Sequence, residues 1–107
     1  MEIILYSEQD CDECKELKKR LNKANIKFEN KDLNKKGKNL MTQFPNKWEH
    51  IDLINEHNLP PWVPTVMVRD GDDTKFVCAS NKTGQQGNIF IGEDSEKLFN
   101  AIVKLID

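Results

Sequence analysis

Cysteine is scarce in this chain of 107 residues: there are three, an odd number that counts against a framework of paired disulfides. Such frameworks belong to secreted domains, so a reducing, cytoplasmic compartment is expected. An excess of one charge is also missing. Sixteen basic and 18 acidic residues leave a net charge of −2, which gives no field to collect nucleic acid or an anionic membrane. Nor is there a basic region followed by a long apolar run before Ile3, so no signal peptide is expected. Repeats and linker-like stretches are absent. A hydrophobic content of 37% and a charged content of 32% fit a soluble globular protein. This length supports one core, so residues 1–107 are read as a single domain and expected as a monomer.

The informative stretch lies near the start. Ile3-Ile4-Leu5-Tyr6 is an apolar run of the kind buried on both faces of a sheet. A polar turn follows, and then Cys11-Asp12-Glu13-Cys14 opens a helix whose apolar face is Cys14, Leu17, Leu21 and Ala24. A C-x-x-C pair on a strand-to-helix turn points to a dithiol redox site. Placed in the first helical turn, Cys11 would meet unpaired backbone N–H groups that favour a thiolate, lowering its pKa from the free value of about 8.5. Cys14, one turn later, would be less accessible and able to resolve a mixed disulfide formed on Cys11.

Other roles for the pair are weaker. Half of a zinc site would need a matching half, yet the remaining cysteine is Cys78, and His50 and His57 lie seven residues apart. A purely structural disulfide would close too short a loop to stabilise much. Cys78, inside Phe76-Val77-Cys78-Ala79, is read as a buried structural thiol, with a regulatory or ligand role as the alternative.

Downstream, Asn25 ends the first helix and Ile26-Lys27-Phe28-Glu29 alternates as a half-buried edge strand, completing a parallel βαβ unit. Asn30 to Asn39 is expected as a loop. Leu40, Met41 and Phe44 suggest a short helical segment that Pro45 interrupts or restarts. Trp48, Ile51 and Ile54 mark a second amphipathic helix ending near Asn58, with Trp48 expected in the core rather than at a membrane or partner. Val66-Met67-Val68, the turn Asp70-Gly71-Asp72 and Lys75 to Ala79 read as a β-hairpin. Ser80 to Gly87 is expected as an exposed loop, and Asn88 to Ile91 as a short extended segment. Asp94 or Ser95 caps a last helix with the stripe Leu98, Phe99, Ile102, Val103 and Ile106. The fold class is therefore α/β, a mixed central sheet built from a βαβ unit and a hairpin and flanked by helices.

This order, with C-x-x-C after the first strand and Val63-Pro64 before the third, resembles the thioredoxin fold and, within it, the glutaredoxin family. Leu5-Tyr6-Ser7 leading to Cys11 and Cys14 is similar to that family's strand and active site. Val63-Pro64-Thr65-Val66 is similar to its Val-Pro segment, whose proline is cis and faces the cysteines. Ile91-Gly92-Glu93-Asp94-Ser95 is similar to its glycine-acidic approach to the last helix. The resemblance implies Cys11 as nucleophile and Cys14 as resolving thiol, with Tyr6 bordering the site. It implies that Val63 and Pro64 meet a bound peptide or glutathione, and that Gly92, Asp94 and Ser95 lie near the glutathione amino-acid end. The implied reaction is reduction of protein disulfides and glutathione mixed disulfides, with glutathione as donor and no bound metal or prosthetic group.

Two alternatives stay open. One is a thioredoxin-like donor served by a flavin reductase and feeding a target such as ribonucleotide reductase. The other is a non-catalytic module holding metal or a partner through its cysteines. The chain departs from the family pattern in carrying Asp12 and Glu13 between its cysteines, with Glu8 and Asp10 just before them. Asp10 and Glu13 have the spacing of a capping box, whereas functionally the four carboxylates oppose ionisation of Cys11 and repel anionic glutathione. Cys11 and Pro64 are 53 residues apart, which implies an enlarged middle helical region, and the loop from Ala79 to Gly92 also looks long.

Overall fold

In the computed structural model, which describes residues 1–37 and 43–107, the first apolar run becomes β1 (Glu2–Ser7). Its alternate side chains enter two separate cores, as expected for a strand inside a three-layer domain. Ile3 and Leu5 join Leu17, Leu21, Val66, Val68, Val77, Leu98 and Ile102 on one face. Ile4 and Tyr6 join Leu33, Leu59, Met67, Phe76 and Cys78 on the other. The first core is covered by α1 (Asp12–Lys23) and α3 (Ser95–Ile106), and the second lies beside α2 (Pro45–His57).

The remaining strands are β2 (Glu29–Asp32), β3 (Thr65–Asp70), β4 (Asp73–Ala79), β5 (Gly84–Gln86) and β6 (Ile89–Gly92). They form a six-stranded mixed sheet in the order β2-β1-β3-β4-β6-β5. β1 runs parallel to β2 and antiparallel to β3, with Tyr6 opposite Thr65. β3 and β4 make the expected hairpin around Gly71, whose φ of 63° suits a residue without a Cβ. The architecture is α/β, with a sheet wider than the sequence implied.

Several expectations are corrected. The second strand is Glu29–Asp32, not Ile26 to Glu29, and so takes up the start of the segment expected as a loop. Ile26 instead closes α1. Its N–H reaches Leu21 O and that of Asn25 reaches Asn22 O, with Asn25 at φ 58°, which is a Schellman end. Ile26 and Phe28 are half-buried against the first core through this turn, so their alternation reflects a capped helix end. Ser80 to Gly87 is exposed but not all loop, since Gly84–Gln86 pairs antiparallel with β6.

Trp48 is the larger correction: it is 60% exposed. The inward face of α2 is His50, Leu53, Ile54 and His57, at helical spacing, with His50 buried and the His57 ring 4.7 Å from that of Phe76. Two of these four positions are histidine, so apolar periodicity picked a neighbouring face. One middle helix is present among the described residues, and Leu40 and Met41 lie outside them.

Cys78 is fully buried in the second core, and burial pushes its thiol up to about 12. Thiol reagents at pH 8 should therefore label it only in denaturant, which mass spectrometry will show. The folded state retains the proton longer than the unfolded one, so this contribution to stability is complete below about pH 9 and lost between about 9 and 12. Stability of a Cys78→Ala variant should fall less steeply over that interval.

Candidate active site

Three segments converge on the start of α1. The helix begins at Asp12, so Cys11 is its N-cap rather than a residue of its first turn. Its own sulfur does the capping: the Cys14 N–H points at Cys11 Sγ from 3.0 Å. Cys11 and Cys14 are joined as a disulfide, with their Cα atoms 5.2 Å apart. Cys11 is part-exposed and Cys14 fully buried, so reagents arriving from solvent meet Cys11.

Glu13 does not form a capping box with Asp10. Its carboxylate accepts the Ser95 N–H at 2.7 Å, across 82 residues of chain. Ser95 opens α3, whose N-cap Asp94 accepts the Lys97 N–H at 2.9 Å. Both carboxylates thus serve the orphan donors at the start of α3, where an anion is favoured. Gly92 lies just upstream, buried so closely that a Cβ there would stand 3.0 Å from Leu98 Cδ2. The structure therefore brings Ser95 to α1 through Glu13, and gives Gly92 and Asp94 roles in seating α3.

The other wall is the segment before β3. The Val63–Pro64 peptide bond is cis, and the Val63 carbonyl oxygen lies 3.9 Å from Cys11 Sγ. Beneath it runs a hydrogen-bond relay that sequence reasoning missed. The Thr65 hydroxyl donates to Trp62 O at 2.9 Å, so its oxygen is free to accept from His50 Nε2, also at 2.9 Å. The His50 ring stacks on Tyr6 with centroids 5.5 Å apart. Tyr6 is fully buried and reaches the site through this stack rather than by bordering it openly. Among the described residues no group stands in hydrogen-bond geometry to its hydroxyl, and burial, followed by the nearby Glu49 carboxylate, raises its pKa. The seven-residue spacing of His50 and His57, which puts both on one helical face, was the available signal.

Above the relay, Trp62 is 60% exposed. It lines a cleft of about 240 Å³ with Ala79, Ser80 and Asn81. Among the described residues no group of three or more His, Cys, Asp or Glu side chains is arranged to hold a metal ion. No helix among them is long and apolar enough to cross a membrane. No protein-family model, curated protein or solved structure matches this chain, so its chemistry is argued from this geometry.

Burial lowers the His50 pKa below its ordinary value of 6.5. The unfolded chain binds that proton first, so stability is present above about pH 6.5 and is lost as the pH falls below it. His50→Leu should cost about 1–3 kcal/mol at pH 7 by removing the donor to Thr65, and should flatten the loss between pH 7 and 5. Urea unfolding at several pH values checks both.

A second variant tests the clasp between the helices. Glu13→Ala should cost about 1 kcal/mol, the usual worth of a helix cap, and Glu13→Gln less, because an amide oxygen still accepts. Hydrogen exchange at the Ser95 amide should rise in the Ala variant.

Proposed function

We propose that this chain is a glutaredoxin-like thiol–disulfide oxidoreductase of the thioredoxin fold, reducing protein disulfides or glutathione mixed disulfides through Cys11 and Cys14. The observation that carries this reading is the unequal pair: an accessible sulfur capping a helix, bonded to a buried one a turn further in. The order β2-β1-β3-β4, with α1 between β1 and β2 and α3 packed behind, supports the fold assignment.

In the reduced protein, the Cys11 thiolate is stabilised by the Cys14 N–H and attacks one sulfur of the substrate disulfide. A mixed disulfide forms on Cys11, and the other substrate sulfur leaves as a thiolate that takes up a proton. Cys14 then loses its proton and attacks Cys11 Sγ, which forms the Cys11–Cys14 disulfide and releases the second substrate thiol. The substrate gains two electrons and the protein loses two. An external thiol restores the dithiol, two molecules of glutathione becoming glutathione disulfide. Val63 and Pro64 form the wall that the incoming chain meets. A cytoplasmic monomer without bound metal or prosthetic group, acting on neither nucleic acid nor membrane, completes the proposal.

One observation favours a second reading, the thioredoxin-like donor. The N–H of Ser95, a residue that the resemblance puts near the glutathione amino-acid end, is already taken by the Glu13 carboxylate. A flavin reductase would then supply the electrons, and ribonucleotide reductase is one target of that class. Turnover with glutathione and glutathione reductase, set against turnover with thioredoxin reductase, separates the two. Turnover with neither, together with stoichiometric zinc, would favour a binding module.

For the chemistry itself, iodoacetamide at pH 7 should modify reduced Cys11 well before Cys14. Cys11→Ser should abolish disulfide reduction, while Cys14→Ser should retain activity on glutathionylated substrates and trap mixed disulfides with proteins. Faster modification of Cys14 would reverse the assignment.

A further inference from the structure

The clearest feature left unused by this mechanism is Trp62. Trp48 is exposed to the same 60%, and single exposed aromatics are common; Trp62 differs in standing next to the dithiol site. Its main chain is held: the Trp62 carbonyl accepts from Thr65, whose hydroxyl oxygen in turn meets buried His50. The next residue, Val63, lies against Cys11. Trp62 therefore adjoins in the chain the wall that faces Cys11, and it lines a cleft whose other residues, Ala79, Ser80 and Asn81, carry no charge.

The turn that leads into Cys11 supplies a sign. Glu8, Asp10, Asp12 and Glu13 lie within residues 8–13, and all four are exposed. Four carboxylates within six residues exceed the net charge of the whole chain, −2, so the remainder is net positive. Glu13 is engaged by Ser95, which leaves three carboxylates facing solvent beside Cys11. The bases nearby in sequence are Lys15, Lys18, Lys19 and Arg20 on α1 and, one residue past the cleft, Lys82. A Trp face is the best side-chain acceptor for a cation, and the carboxylates flanking Cys11 attract the same charge.

Resting on the oxidoreductase reading, we infer that the preferred substrate is a disulfide flanked by Lys or Arg, with one cation on the Trp62 ring while Cys11 attacks the adjacent sulfur. The cation stays on the substrate and takes no part in the electron transfer. Trp62 is thus a specificity-determining residue for this site.

The test uses single turnover, which needs no knowledge of the donor. Protein reduced with dithiothreitol and desalted is mixed with three cyclic disulfide peptides of one ring size, flanked by Lys-Arg, by Ser-Ser or by Glu-Glu, and the reduced peptide formed is followed by acid quench and chromatography. The Lys-Arg peptide should react about fivefold faster than Ser-Ser at low salt, the scale of an exposed cation–π contact plus screened charge, with Glu-Glu slowest. The ratio should shrink in 0.5 M NaCl, where screening is about twice as short-ranged as in physiological buffer. Trp62→Ala should narrow the Lys-Arg to Ser-Ser ratio, Trp62→Phe should narrow it less, and Asp10→Asn with Asp12→Asn should remove the penalty on Glu-Glu. Equal rates for all three peptides, or a ratio untouched by Trp62→Ala, would overturn the inference while the oxidoreductase stands. Failure to reduce any of them would overturn both.

Discussion

The amides at the start of an α-helix have no partner within it, and something must meet them. In α1 a sulfur meets one of them, since the Cys14 N–H is directed at Cys11 Sγ. This requirement places the two cysteines unequally. The capping residue sits outside the helix with access to solvent, while the residue three further on turns into the core with Leu17 and Leu21. The start of α3 faces the same need and draws Glu13 out of α1 to help meet it. Two helix starts are thereby joined beside the dithiol, and the first core beneath them holds both helices against the sheet. Breaking that junction would loosen the approach to Cys11 without touching either sulfur.

How much was legible beforehand depends on which force decided each element. β1 could be read directly, because burial on both faces leaves an unbroken apolar run at Ile3 to Tyr6. α1 and α3 were equally readable from helical apolar spacing, and the β3–β4 hairpin from Asp70-Gly71-Asp72. β2 was displaced by a few residues because an edge strand needs few apolar side chains, whereas the helix end at Ile26 needs one. α2 was placed correctly yet rotated: histidines at two inward positions are invisible to an apolar count. β5, a three-residue strand of exposed Gly84-Gln85-Gln86, is made by pairing with β6 alone and leaves no pattern at all.

The candidate site divides in the same way. Cys11 and Cys14 announce themselves through spacing and side-chain chemistry, whereas Val63 and Pro64 enter through the resemblance. Glu13 announced itself wrongly, since its spacing to Asp10 suggested a local cap and its partner proved to be on another helix. Long-range hydrogen bonds of this kind have no sequence period. The relay from His50 through Thr65 to Trp62 is a stronger case. Its members are 3 and 15 residues apart, and only the packing of α2 on the sheet brings them together. The relay also gives the second core a functional consequence: the stacking of Tyr6 on His50 steadies the wall that faces Cys11.

The acidic rim now poses a question of magnitude. A direct hydrogen bond from an N–H to a charged acceptor contributes about 1.5–3 kcal/mol. A full charge about 8 Å away in water acts with about 0.5 kcal/mol, and salt weakens it further. Cys11 Sγ has the first kind of contact with Cys14. The carboxylates of Glu8, Asp10 and Asp12 are exposed and offer only the second kind. One amide in contact with the sulfur therefore outweighs any single screened carboxylate around it. Exposed carboxylates do sum their effect on a charge arriving from solvent, because each acts over the same Debye length of about 8 Å. The rim is thus better suited to selecting what reaches the sulfur than to tuning the sulfur itself. The uncharged cleft beside Trp62 adds no counterweight to that selection.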